Sequence, residues 1–406
     1  MRHLSRVSTI ALLLAAVPTL LAAGETIAVR GETVHTMAGE PISDGVVLIE
    51  DGKIAAVGPA ADVAIPSGVR VLEAKVVVPG LIDAHSVVGL AGYLNQDHDQ
   101  DQLEESAPLQ PELRAIDAYN AREALVEWVR KLGVTTIHTG HGPGALISGQ
   151  TLIAKTRGET VDEAVVVPTA MVAATLGEEA TVDGGKSPGN RSKAAAMLRA
   201  ELIKAREHAA KVAGDGDPPA RDLRLETLSR VLSRELPLLV TVNRHQDIMT
   251  ALRIAEEFDL DLVLDSVSDA HLLVDEIKAS GVRVIVHPTM KRAVGETEHL
   301  SMETAAILAN AGIPIALQSG FEAYVPKTRV VLFEAAIAAS YELGWERAMQ
   351  SITSGAAALL GIDDRVGSLE VGKDGDVALY DGDPFEYTSH CVGVVIEGEV
   401  VSEEAL

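Results

Sequence analysis

Three features of this 406-residue sequence predict an α/β protein, a (β/α)8 barrel of the TIM type carrying a small β-sandwich built from both chain ends. The middle alternates apolar strands with amphipathic helices. The two ends are short, β-rich and punctuated by turns. The composition, 47% hydrophobic with only 3% aromatic residues, supplies a large aliphatic core. Apolar runs separated by helices of ten or more residues specify parallel strands covered by helices. An open doubly wound sheet would share that alternation, but no G-x-G-x-x-G follows the first strand. The expected boundaries are a signal peptide at 1–24, a composite β-sandwich from 25–78 and 362–406, and a barrel over 79–361.

The elements follow in order. Arg2, His3 and Arg6 form a basic start before an apolar run from Ile10 to Ala23, and Ala22-Ala23-Gly24 offers small residues for cleavage. That pattern is a secretory signal and places the mature protein in the periplasm or outside the cell, with no stable membrane span left in it. The bland reading is an uncleaved anchor. GVVLIE, Asp51-Gly52 and KIAAVG then read as a β-hairpin around a two-residue turn. At the other end DVALYDGDP and GVVIEGEVV are strands divided by Gly and Asp, so the two ends are expected to complete one small β domain.

Between them VVVPGLIDAH, VTTIHTG, LPLLVTVN, DLVLDSV, VRVIVHPT and IPIALQSG are buried strands. Helices are expected around Glu112 to Leu132, Asp247 to Phe258, Ala270 to Ala279, Met302 to Ala311, Thr328 to Leu343 and Trp345 to Leu360. Gly/Pro/Asp loops at Asp183 to Pro188 and Gly214 to Pro219 flank a further long charged helix.

Fifty-nine acidic against 34 basic residues give a net charge of −25 with histidine neutral. Nucleic-acid binding draws on a basic footprint, so no nucleic-acid partner is expected. The single cysteine, Cys391, excludes an intramolecular disulfide.

PGLIDAH, the DGKI hairpin, the TALRIAEEF helix and the closing GSLEVGKDGDVALYDGDP resemble the amidohydrolase superfamily, in particular its imidazolonepropionase-like exported members. The resemblance covers nearly the whole mature chain. It implies a hydrolase of C–N bonds in cyclic amides, amidines or small amides, with a divalent metal, usually zinc, activating water.

The ligand positions implied by that resemblance depart from it. The H-x-H of strand one reads His85-Ser86-Val87, and the strand-five histidine is replaced by Thr241, with Asn243, Arg244 and His245 just beyond. Strand six offers Asp265 and Ser266, and strand eight ends in Ser319-Gly320 instead of the aspartate that binds metal and takes the proton. Zinc needs three or four donors, which His85 alone cannot supply. The expectation is a degenerate metal site with no resident cofactor.

Other candidates lie at the same strand ends. His85, His138, His141 and His287 could converge on a relocated mononuclear zinc site with Asp265 as carboxylate; the plainer reading makes each a hydrogen-bonded histidine of a polar pocket. Asn243, Arg244 and Gln318 join these five as pocket candidates, and Arg244, Lys327 and Arg329 are cations suited to a substrate carboxylate. The glycines around Gly142 to Gly149 could present backbone N–H groups, although turns alone explain them. Alternate Asp97, Asp99 and Asp101 suggest a hard cation, yet they lack the EF-hand glycine and distal glutamate, so a solvated acidic loop is expected. The partner is therefore a small molecule, turned over at an altered site or only bound, and a homo-oligomer is left open.

Overall fold

The computed structural model describes residues 26–94, 96–181, 187–286, 292–320 and 330–405. The expected signal segment, His287, Lys327 and Arg329 lie outside the described residues. Strands β1 (Ile27–Val34), β2 (Ile42–Glu50), β3 (Lys53–Pro59) and β4 (Arg70–Pro79) come first. The body supplies β5 (Leu81–Ser86), β6 (Val134–Thr139), β7 (Ile147–Gln150), β8 (Leu152–Lys155) and β9 (Val165–Val167). It continues with β10 (Val172–Thr175), β11 (Leu238–Val242), β12 (Leu262–Ser266), β13 (Arg283–Val286) and β14 (Ile315–Leu317). β15 (Val377–Tyr380), β16 (Cys391–Ile396) and β17 (Glu399–Ser402) follow.

Both chain ends enter one seven-stranded sheet of order β17-β16-β15-β4-β1-β2-β3. They meet where β15 runs antiparallel to β4, with Val377 opposite Pro79 and Tyr380 opposite Val76. The expected two-residue hairpin joins β2 to β3, and Asp51 and Gly52 both take positive φ, 51° and 79°, the twist that such a turn requires. The expected sandwich is hydrogen-bonded as a single sheet rather than as two. β4 pairs in parallel with β1 and antiparallel with β15, which stitches the two halves edge to edge. Ile27, Val29, Val47, Ile49, Val77, Val377, Leu379 and Val395 form its own apolar core.

The body is mixed α/β, with a six-stranded sheet β14-β13-β12-β11-β10-β7 and a four-stranded sheet β5-β6-β8-β9. β7 and β8 are consecutive stretches interrupted at Thr151, one pairing with β10 and the other with β6. Both pairings are antiparallel, which corrects the expectation of uniformly parallel strands. The cause is the connection: residues 140–146 form a short loop with no crossover helix, and only a crossover returns a chain parallel. A parallel bridge between Ser86 and Gly320 brings the β5 end to the residues after β14.

Ile82, Ile153, Leu239, Val263, Ile285 and Ala316, from six strands, gather in one separate apolar cluster against the helix Ser354–Leu360. That helix and Trp345–Gln350 replace the single helix expected there, because Thr353 leaves helical geometry at φ −139°, ψ −105°. The helix expected from Glu112 shortens to Ala124–Lys131. Its N-cap is Glu123, whose carboxylate accepts from Leu125 N at 2.6 Å and from Tyr93 N at 2.8 Å.

Sheet and body are locked by buried charge. Lys155, 2% exposed, places Nζ 2.6 Å from Asp376 and 3.2 Å from Asp374, and Asp374 is also met by Lys53 and Arg365.

Candidate functional site

Alternation along the strands builds the site in two layers. On β11, β12 and β14 the apolar residues Leu239, Val263 and Ala316 belong to the inner cluster. Two residues further on, the same face carries Thr241, Asp265 and Gln318. Residue 151 does the same for Ile153 with the direction reversed, because that stretch runs antiparallel. On β5 the register against β6 shifts between Asp83 and Ser86, which re-aims His85 into the polar layer although Ile82 points to the apolar one.

Asp265 is the hub. Its Oδ2 accepts from Thr241 Oγ1 at 2.7 Å and its Oδ1 from Gln318 Nε2 at 2.6 Å, and His85 Nδ1 lies 3.2 Å from Oδ2. Thr241 and Asp265 are direct register partners on adjacent parallel strands, which is why so short a side chain reaches. His85 and Asp265 are 1% and 0% exposed, so these interactions stand out of water and count for more than at a surface. Among the described residues Gln318 Oε1 has no hydrogen-bond partner.

His138 stacks beside His85, with ring centroids 5.5 Å apart. Its Nδ1 is 2.6 Å from the Ala84 carbonyl, which can only accept, so Nδ1 carries the proton. Nε2 then accepts from the Thr151 hydroxyl at 2.7 Å. Burial, with the His85 ring adding to it, pushes the His138 pKa down to about 3, and the ring is neutral. Both nitrogens are thereby committed. His141 lies in the loop after β6, packed so close to Gly149 that a Cβ there would fall 2.3 Å from its ring. Among the described residues neither of its nitrogens has a hydrogen-bond partner, and burial lowers its pKa to about 4.

Asp83 accepts from the Ser319 backbone N–H at 3.0 Å and from the Ser319 hydroxyl, which ties the β5 end to the residues after β14. Burial raises its pKa to about 6 despite those donors. Val87, at the second position of the strand-one pattern, is buried and apolar.

Asn243 leaves the layer and braces a turn, accepting from Ser266 Oγ at 2.8 Å and Ser268 Oγ at 2.9 Å. Arg244 does not face a ligand space as a lone cation: its Nη1 donates to Glu298 at 2.6 Å and to the Gly295 carbonyl at 2.9 Å. The structure thus brings together His85, His138, Asp265 and Gln318, sets His141, Asn243 and Arg244 around them in other roles, and does not describe His287. The loops after β5, β6 and β10 line a cavity of about 510 Å³ through Glu105, Ser106, Pro108, Gly144, Glu179 and Thr181. Thr151 as the partner of His138 was not legible, because its place depends on the reversed direction of that stretch; nor was the buried carboxylate of Asp269, which accepts from His245 N at 3.0 Å and faces His299 Nδ1 at 3.2 Å.

The model of the amidohydrolase family matches residues 88–402. The chain is similar to the imidazolonepropionase of Rhizobium rhizogenes, 24% identical over 371 residues that cover 84% of this chain and 87% of the relative. Among solved structures it resembles an amidohydrolase from Thermotoga maritima, with a TM-score of 0.87 at 27% identity over 93% of this chain and all of the other. An adenosine deaminase from Xanthomonas campestris with bound zinc shares the fold, with a TM-score of 0.56 at 14% identity over 94% of each chain.

Proposed function

The chain belongs to the amidohydrolase family, and from that premise we propose that it is an exported (β/α)8 barrel that binds a small amide or cyclic amide without the metal-activated hydrolysis of its relatives. Closure of the barrel is supported by the Ser86–Gly320 bridge, the Asp83–Ser319 bonds and the inner cluster drawn from six strands. Export is supported by the basic, apolar and small-residue succession of the first 24 residues. N-terminal sequencing of secreted protein should begin at Glu25; a start at Met1 would refute export with cleavage.

One observation carries the functional reading: the carboxylate of Asp265 is occupied by protein donors. A catalytic zinc requires three protein lone-pair donors and an open position for water. Here Thr241 and Gln318 turn an O–H and an N–H toward the centre, Val87 contributes nothing, and His138 has spent both nitrogens. The donor set does not fit the ion that the related deaminase binds. The same commitment of His138 speaks against a relocated site built on His85, His138, His141 and His287. Neither Ser319 nor Gly320 is a base near neutral pH, so neither can take a proton from water in the way implied for the aspartate at that strand end.

The test is a panel of N-acyl amino acids, dipeptides and cyclic imides, with and without added zinc. No turnover is expected, together with a raised thermal midpoint for at least one member. Turnover abolished by Asp265→Asn would overturn the reading.

A further inference from the structure

A cavity of about 420 Å³ lies at the starts of β13 and β14, with Arg283 and Ile315 among its walls. Because β12, β13 and β14 run parallel, these are the strand ends opposite to those that carry Asp265 and Gln318. Breaks in the helices open it. Helical geometry fails at Tyr341 (φ −110°) and Glu342 (φ 70°) and again at Thr353, so the chain crosses this face in short pieces that end at Leu343, Gln350 and Leu360. Gly355 lets the last two pieces approach, since a Cβ there would fall 2.9 Å from the Gln350 carbonyl oxygen. Ala309, Ile315, Leu343, Ala358 and Leu359 give apolar walls, and the small side chains at 309 and 358 leave the space between them unfilled.

Two arginines reach this cavity, and their surroundings differ. Arg283 has its charge matched: Nη2 lies 2.7 and 2.8 Å from the two oxygens of Asp261, and Nη1 donates to the Leu359 carbonyl at 2.7 Å. Arg347 meets neutral acceptors. Its Nε donates to the Leu343 carbonyl at 2.9 Å, Nη1 to Asn310 Oδ1 at 2.6 Å and Nη2 to the Glu342 carbonyl at 3.2 Å. Among the described residues no carboxylate pairs with it, although the chain holds 59 acidic residues against 34 basic ones. A guanidinium keeps its charge and has five N–H donors, so two remain, one on each Nη. The three bonds already made hold the planar fork in one orientation beside the apolar walls.

We propose that this cavity binds one small monocarboxylate with an aliphatic tail, its carboxylate on Arg347 and its tail against Ile315, Leu343 and Leu359. Two N–H donors on a fixed fork match the two oxygens of a carboxylate. A phosphate brings more charge and more acceptor oxygens than one uncompensated cation serves, and an ammonium is repelled by it. The tail leaves water for walls that otherwise face it. The volume falls within the range of roughly 300–1,000 Å³ in which pockets enclose a small ligand. This site is separate from the barrel mouth and is independent of the reading of Asp265.

The experiment is isothermal titration of the full chain with sodium hexanoate at pH 7.5, with acetate and hexylammonium as controls. One hexanoate per chain is expected, with acetate at least about tenfold weaker and no saturable binding of hexylammonium. Arg347→Met keeps an apolar stem and should weaken hexanoate by about 10- to 100-fold. Arg347 also holds the turn at Glu342 and Leu343, so a second variant leaves it in place. Ala358→Trp, at an exposed helix position, fills the cavity and should abolish binding. Thermal midpoints without ligand show which variants are folded. Absence of saturable hexanoate binding, equal binding of acetate or hexylammonium, or binding unchanged in either folded variant would overturn the proposal. Binding lost in Asp265→Asn but kept in both of these variants would place the acid in the barrel mouth, and would overturn this site while leaving the reading of the mouth intact.

Discussion

Gln318 and Asp265, 53 residues apart in sequence, are joined by a 2.6 Å hydrogen bond from Nε2 to Oδ1 that spans the ends of β14 and β12. Between them lies β13, so this bond crosses the interior instead of following the sheet. Gln318→Leu should remove a charge-assisted donor from a buried carboxylate and destabilise the chain by about 2 kcal/mol. Urea unfolding measures it, and a loss below about 0.5 kcal/mol would show that the bond contributes little.

Lys155→Met should cost about 3 kcal/mol, because it strands the buried carboxylate of Asp376 without its cation. Arg30→Ala, which removes an exposed partner of Asp44, should leave the thermal midpoint where it was. Equal effects of the two substitutions would mean that burial of the Lys155 cluster carries no special weight.

Acid should destabilise the protein through its neutral histidines. His138 and His141 titrate at about 3 and about 4 in the folded chain against an ordinary value of 6.5. Between those limits the unfolded chain binds more protons than the folded one, so stability falls as pH drops from 6.5 toward 4 and is flat above about 7. His141→Leu also removes two unpaired buried nitrogens, so this variant should be about 1 kcal/mol more stable at neutral pH and less acid-sensitive. A midpoint with an unchanged pH profile in that variant would refute the assignment.

Deleting 367–406 removes β15, β16 and β17 and leaves β4 as a bare edge. Hydrogen exchange should then lose protection first in Val76 to Val78 and afterwards in the strands beyond, including Val46 to Ile49. Protection unchanged at Val76 to Val78 would separate the two ends.

The terminal strands were legible because each combines period-two alternation with a local turn, as Asp51-Gly52 does. The helix after β11 was legible within two residues, starting at His245 where Asp247 was expected. What stayed hidden depends on long-range pairing. Nothing in ISGQTLIAK states that it runs backwards, since direction is set by the missing helix before it. The substituted positions Val87, Thr241, Ser266 and Gly320 could each be read in isolation. Their joint outcome, a carboxylate shared by Thr241 and Gln318, could not, because it depends on a two-residue layer shared by separate strands. Asp269 and His299 were invisible for another reason: loop residues carry no periodicity, and a 30-residue separation offers no pattern to find.

The pairing of β4 with β15 also fixes an order of events. A chain that emerges N-terminus first exposes β1 to β4 early, while their last neighbour is nearly 300 residues behind by the register of Pro79 with Val377. Until that neighbour arrives, β4 presents an open hydrogen-bonding edge of ten residues, the kind of template on which separate chains pair with one another. The closing contact is of high sequence separation and therefore slow to form. Folding of this protein is thus completed at the C-terminus: the final strands act as the clasp, and any chain halted short of them is the aggregation-prone species that a holding chaperone would have to recognise.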